Sequence, residues 1–251
     1  MKMIFSEKYL DLQPKIELFI RNFDVEGKTI YGGKRNEIKI FSIDDFFVNI
    51  KAFKKPNIPN KVIYKFIRKS KAQRSFEYAQ ELLKSEILTP EPIAYFEEDK
   101  YLFGKSFYVC KHLEYDLLFK DLNENLDYPD IESIVKQFTV FTHQLHQNDI
   151  EFIDHTPSNT LIKKENGIYK FYLVDLNRMN FKRLTFEDRI KNFAKITTHQ
   201  KIHRIISQQY AELINEDPEM IYEKLLFYVN KFQEAFHRKK RIKKKIKFWK
   251  S

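Results

Sequence analysis

Glycine is scarce in this chain: five residues in 251, at Gly27, Gly32, Gly33, Gly104 and Gly167. No arrangement of them spells G-x-G-x-x-G, which excludes the dinucleotide-binding fingerprint. The stretch from Gly27 to Lys34 fails as a phosphate-cradling P-loop, because Gly33 occupies the lysine position and no Ser or Thr follows Lys34. Any nucleotide must be held another way. Cysteine occurs once, at Cys110, so no internal disulfide forms, and no Cys/His cluster has zinc spacing. Both facts suit a reducing cytoplasm. No apolar run reaches the roughly 18 residues that a membrane-spanning helix needs. Charge appears too early in Met1–Lys8 for a signal peptide.

What is present is charge, unevenly spread. The formal net charge is +10, with 45 Lys and Arg against 35 Asp and Glu. Nine basic residues and no acid lie between Lys51 and Arg74, and nine more without an acid lie between Arg238 and Lys250. The remaining 27 basic and 35 acidic residues leave the body at −8. Such blocks point to an anionic partner, whether nucleic acid, lipid surface or phosphorylated substrate. In the second block Ile242, Ile246 and Trp249 fall on one helical stripe among lysines. That pattern suits a membrane-surface segment, where each basic residue near an anionic leaflet contributes about 1 kcal/mol.

Periodicity predicts strands first and helices later. Thr29–Tyr31 and Glu37–Phe41 flank a Gly-Gly-Lys-Arg-Asn turn and read as a hairpin, with Phe46–Phe53 a third apolar stretch. After the break at Pro56 and Pro59, helical spacing begins near Val62 and carries Phe76, Ala79, Leu82 and Leu83 as a stripe until Thr89-Pro90-Glu91-Pro92 stops it. Strands are expected at Ile93–Phe96, Ser106–Leu113, Thr160–Lys163 and Tyr169–Val174. Helices are expected at Asp130–Gln147, Phe186–Ile196, Thr198–Ile214 and Pro218–His237. The chain therefore reads as α+β in two parts, residues 1–113 and 114–237, with a basic amphipathic tail at 238–251.

The chemistry concentrates between Leu145 and Arg178. Asp154 and Asn159 lie five apart on a loop between a helix and a strand, and Asp175 follows at the end of another strand. Phosphoryl transfer needs a carboxylate to orient and deprotonate the attacking hydroxyl, and a carboxamide and a second carboxylate to hold Mg²⁺ on the phosphates. Taken singly, an Asp or Asn in such a loop caps a turn more readily than it catalyses. The strand context of both acids favours chemistry.

The run Leu145-His146-x-x-x-Ile150-x-x-x-Asp154-x-x-x-x-Asn159 and the strand Tyr172-Leu173-Val174-Asp175-Leu176-Asn177-Arg178 resemble the catalytic loop and metal-binding Asp of the protein-kinase-like superfamily, in particular its lipopolysaccharide core kinases acting on Kdo or heptose. Asn49–Pro56 is similar to that family's third-strand lysine region, and Arg68–Ala79 with Thr89–Pro92 to its αC helix and exit. The resemblance covers residues 30–180. It implies a bilobal fold with a strand-rich N-lobe, an αC helix and a mostly helical C-lobe. It also implies Asp154 as catalytic base, Asn159 and Asp175 on Mg²⁺, Lys51 on the α- and β-phosphates of ATP, and Glu77 as the ion partner of Lys51, with Glu81 one turn on as its substitute.

The chain departs from the pattern at several points. Phe152 stands at the usual His, Asp149 at a common Gly, and Asp175-Leu176-Asn177 at Asp-Phe-Gly. Lys34 and Arg35 follow the two glycines of the phosphate-covering turn, so side-chain cations would share the phosphate-holding role. Arg178 serves the metal loop, the substrate or a surface salt bridge. His143, His146 and His155 invite a metal reading, but His143 and His146 sit on a helix without a paired acidic ligand, which favours structural or solvent roles. The expected partner is an anionic glycolipid at the inner membrane surface. The competing readings are a pseudokinase or scaffold, a kinase-like phosphotransferase for another substrate, and a nucleic-acid module built on the basic blocks.

Overall fold

Alternation of inward and outward residues builds an antiparallel sheet from the N-terminal part of the chain. The strands are β1 (Lys2–Phe5), β2 (Lys28–Gly32), β3 (Asn36–Ile43), β4 (Phe46–Phe53), β5 (Pro92–Glu97) and β6 (Ser106–Lys111), ordered β1-β5-β6-β4-β3-β2. The computed structural model describes residues 2–33, 36–54, 69–98 and 104–248, with side chains as far as Lys244. Lys34 and Arg35, the Pro56–Pro59 break, the expected helix start near Val62, and Trp249 lie outside them.

On β4, Val48 and Ile50 point to one face and Lys51 to the other, as the two-residue strand period requires. The Ile50 face is covered by α1 (Gln13–Arg21), whose Ile16 and Ile20 join Phe41, Ile43, Phe96, Phe107 and Val109 in one apolar cluster. No element is legible before Thr29 in the sequence. The structure places there β1, which pairs with β5, then a 3-10 turn and α1. The opposite face carries α2 (Lys71–Lys84), packed on β5 and β6 with the Phe76 and Tyr95 rings 5.4 Å apart. Ser70 caps α2 by accepting from the Gln73 backbone N–H at 3.0 Å, a bond worth about 1 kcal/mol. Phe76, Ala79 and Leu82 are buried as expected, but Leu83 is exposed, since one more residue turns it about 100° off the stripe.

The later part of the chain is mainly helical: α3 (Phe119–Glu124), α4 (Ile131–Gln147), α5 (Phe186–Asn192), α6 (Gln200–Ile214) and α7 (Pro218–Phe248). A reciprocal cap between Thr185 and Asp188 starts α5. α6 packs against both α4 and α7. Short strands β7 (Leu117–Leu118), β9 (Thr160–Glu165) and β10 (Ile168–Leu173) form one small sheet, and β8 (Ile150–Phe152) and β11 (Met179–Phe181) a two-stranded ribbon. The helix expected to stop at His237 continues through the basic block to Phe248. Nothing there breaks it: the block holds no Gly or Pro, and Lys and Arg are good helix formers.

Contacts divide the chain into two units, Met1–Glu114 with Tyr172–Arg178, and Tyr115–Phe171 with Met179–Ser251. Backbone and hydroxyl bonds are among those that join Tyr172–Arg178 to the sheet unit. The Leu173 N–H donates to the Leu88 carbonyl at 3.0 Å, and the Thr89 hydroxyl donates to the Leu173 carbonyl at 2.8 Å.

Candidate active site

Lys51 lies on β4 opposite Tyr108 of β6, on the face that α2 covers, and its side chain is only 12% exposed. A half-desolvated ammonium needs an anionic or carbonyl partner. Its partner is Asp175, whose Oδ1 accepts from Lys51 Nζ at 2.7 Å across 124 positions of sequence. Asp175 follows β10 on left-handed backbone, with φ at +60°. That conformation costs a non-glycine residue about 1 kcal/mol and is best tolerated by Asp and Asn. The Asn177 amide donates to the same Oδ1 at 2.5 Å, so Oδ2 stands outside both bonds. Asn177 itself is buried, and it is the residue that replaces the Gly of Asp-Phe-Gly.

The expected ion pair between Glu77 and Lys51 does not form. Glu77 instead accepts from Lys69 at 2.8 Å and from Gln73 at 2.9 Å, and Glu81 from Lys84 at 2.8 Å. The reason is local: Gln73 and Lys84 lie one turn away along α2, and Lys69 lies just before its cap, whereas Asp175 already holds the ammonium of Lys51. Of the first basic block, Arg74 is buried with its Nε on the Ser70 carbonyl at 3.4 Å, so the described part is not one solvated face.

Asp154 and Asn159 sit together in the second unit, on the loop between β8 and β9. The Asn159 amide donates to the Asp154 carbonyl at 2.9 Å, and the Thr156 N–H donates to the same carbonyl at 2.7 Å. The loop is closed further by the Asn159 N–H on the Thr156 carbonyl at 3.0 Å, where Pro157–Asn159 forms a 3-10 turn. With one of its two amide protons held in that bond, Asn159 also presents its carboxamide oxygen. That oxygen and a carboxylate are the hard ligands that Mg²⁺ prefers.

A buried network that sequence reasoning did not find supports this loop. Asn192 donates to the Phe152 carbonyl at 2.9 Å, and Lys195 to the Ile153 carbonyl at 2.5 Å. His146 joins Asn192 to the Tyr210 hydroxyl, with ring nitrogens 3.3 Å and 2.8 Å from them. His155 is fully buried, its ring between those of Phe138 and Phe152. Burial pushes the imidazoles of His146 and His155 down to about 3, so both are neutral, and their role is structural. Only the residue types hinted at this network, since its partners are 40 to 64 positions apart. Asp149, at the position of a common Gly, adopts φ of +56° and accepts from the Leu184 N–H at 3.1 Å, so an Asx side chain replaces glycine's freedom with a bond. Among the described residues, no three His, Cys, Asp or Glu side chains form a metal-holding group.

The chain is mixed α/β, with an antiparallel strand-rich N-terminal sheet and a helical C-terminal part. A solved structure, WaaP in complex with acyl carrier protein, is similar to it with a TM-score of 0.65 at 14% identity, covering 94% of this chain and 99% of that one. No curated protein matches the sequence. The profile of the Lipopolysaccharide kinase (Kdo/WaaP) family matches residues 56–216, more than half of the chain, and the chain belongs to that family. Its members are lipopolysaccharide kinases, phosphotransferases acting on a sugar hydroxyl and using ATP. The matched stretch contains Glu77, Asp154, Asn159 and Asp175, and begins five residues after Lys51.

Proposed function

We propose that this lipopolysaccharide kinase moves the γ-phosphoryl group of ATP to a hydroxyl of Kdo or heptose on the lipid A core. Residues 1–113 would act as the nucleotide-binding N-lobe, with α2 as αC, and residues 114–237 as the catalytic C-lobe. Asp154 is the catalytic base, accepting the proton of the sugar hydroxyl as the new ester bond forms. Asn159, through its carboxamide oxygen, and Asp175, through Oδ2, are the residues that would hold Mg²⁺. Bound there, the ion would offset the negative charge on the phosphates. Lys51 has three donors, of which Asp175 takes one, leaving two for α- and β-phosphate oxygens.

The observation that carries this reading is the clip from the Asn159 amide to the Asp154 carbonyl, which fixes base and metal ligand on one loop. It is tested by Asp154→Ala with purified lipopolysaccharide acceptor: phosphate transfer should be abolished while ATP binding persists. Unchanged transfer would remove Asp154 from the mechanism. A wild-type chain that binds ATP and transfers nothing would mark a pseudokinase.

The basic end of α7 is read as a peripheral contact with the inner membrane surface. Among the described residues no helix is long and apolar enough to cross a bilayer, and the described part of this helix end carries Arg238, Lys239, Lys240, Arg241, Lys243 and Lys244. Deleting residues 238–251 should release the protein from anionic vesicles with ATP binding intact. If vesicle binding is unchanged, the contact lies elsewhere. The similar WaaP structure holds acyl carrier protein. Binding of that protein to the same helix end, with none to vesicles, would reassign the surface.

A further inference from the structure

A cleft of about 270 Å³ opens in the second unit, with one wall from α5 and the turn after it and another from α7. Lys191, Lys195 and Lys231 all line it, against one acid, Glu151. That acid is already engaged, accepting from the Asn180 amide at 2.8 Å with Lys182 at 3.8 Å. Among the described residues, no carboxylate lies within ion-pair distance of Lys191 or Lys231, and Lys231 rests instead over the Phe227 ring at 5.7 Å. Lys191 and Lys231, two ammonium groups on one cleft with no carboxylate beside either, repel one another. An anion entering the cleft would reverse that repulsion.

The rest of the lining says which anion. Tyr228, Phe232 and Ile153 give the cleft apolar surface beside its ammonium groups, the combination that accepts a sugar ring carrying a charged substituent. The cleft also touches the catalytic loop. Ile153 immediately precedes Asp154, and Lys195 holds the Ile153 carbonyl at 2.5 Å while its ammonium lies 5.8 Å from the Phe232 ring. We propose that this cleft is a subsite for an anionic group, phosphate or carboxylate, on the glycan of the acceptor. The proposal rests on the lipopolysaccharide-kinase reading and adds where the acceptor's charge is bound: on Lys191 and Lys231, beside Lys195.

The test is direct binding, followed by turnover, with deacylated lipid A–core oligosaccharide as the probe. Lys191→Glu/Lys231→Glu changes two exposed side chains outside the residues assigned to ATP and proton transfer, and its folding is checked by thermal melting. The double variant should bind the oligosaccharide on the order of tenfold more weakly or worse, with ATP affinity and acceptor-independent ATP hydrolysis unchanged. Lys191→Arg/Lys231→Arg should restore binding. Equal dissociation constants for wild type and the folded Glu variant would overturn the subsite. Two further arms separate the sources of charge. If the lysine dependence vanishes with dephosphorylated oligosaccharide, the cleft takes phosphate; if free Kdo shows it, the cleft takes carboxylate. A wild type that binds through these lysines but transfers no phosphate would refute the kinase reading while upholding the subsite.

Discussion

The two polar pairs of this protein are built by opposite means. Asp154 and Asn159 are five residues apart, tied by one side-chain bond to a backbone carbonyl and supported from below by neutral, buried side chains. Lys51 and Asp175 are 124 residues apart and tied by charge, with the carboxylate on left-handed backbone. The local pair fixes the geometry of its loop. The long-range pair is partly exposed, so its charges can be shared with an incoming ligand. On the proposed reading, the first pair would supply a rigidly held base and the second a clamp whose charges exchange partners with phosphate and cation.

The largest expected effect separates the two pairs in kinetics. Asp154→Asn should lower kcat on the order of 10³-fold with the apparent affinity for ATP unchanged, because only the proton acceptor is lost. Lys51→Met should instead raise KM for ATP at least about tenfold as the phosphates lose their cation. Steady-state kinetics with ATP varied distinguishes these outcomes, and equal effects on KM from both variants would erase the distinction between the pairs.

The next effect is on stability and concerns only the local pair's foundation. His146 and His155 have folded-state values near 3, below the ordinary 6.5, so the unfolded chain binds more protons as pH falls. Their contribution is fully present above about pH 6.5 and declines as pH drops toward 3, by about 1.4 kcal/mol per pH unit for each ring. Between pH 7 and pH 5 this amounts to about 2 kcal/mol per histidine, read from urea midpoints, and His155→Phe should remove one such share of the slope. A slope unchanged in that variant would contradict the neutral, buried assignment.

Asn192→Ala should cost about 1–3 kcal/mol, since it leaves the Phe152 carbonyl and a nitrogen of His146 without their partner. Its kcat should fall with little change in KM for ATP, so the kinetic split would follow that of the Asp154 variant. The smallest effect belongs to Glu77→Gln. Its partner Lys69 is 59% exposed in its side chain, so stability should change by less than about 1 kcal/mol and ATP affinity should hold. A large loss of ATP affinity would restore Glu77 as the partner of Lys51.

What the sequence disclosed follows the same division. The hairpin, strands β4, β5 and β6, and helices α4 to α6 were legible because periodicity and caps are local. The closeness of Asp154 and Asn159 was legible too, since five residues of one loop separate them. The pairing of Lys51 with Asp175 in place of Glu77 was not legible, because it depends on how Tyr172–Arg178 joins the sheet unit through Leu88 and Thr89. Strand β1 and helix α1 were missed because four residues and nine residues are too short for a periodic signal to stand out. The sequence set residues 238–251 apart as a basic amphipathic tail because of their charge, whereas α7 runs on unbroken to Phe248. Asn192 and Lys195 carry no motif; only the fold brings them to the Phe152 and Ile153 carbonyls, just before Asp154.

The central claim is that this chain passes phosphate from ATP to a sugar of the lipopolysaccharide core. The most direct measurement supplies γ-labelled ATP and Mg²⁺ to the wild-type chain with a panel of Kdo–lipid A, heptosylated core, free sugars and a generic protein. The account predicts label on a core sugar of one of the first two acceptors, absent with Asp154→Asn and absent from the generic protein. Label on the generic protein alone, or no transfer by a chain that binds ATP, would contradict it.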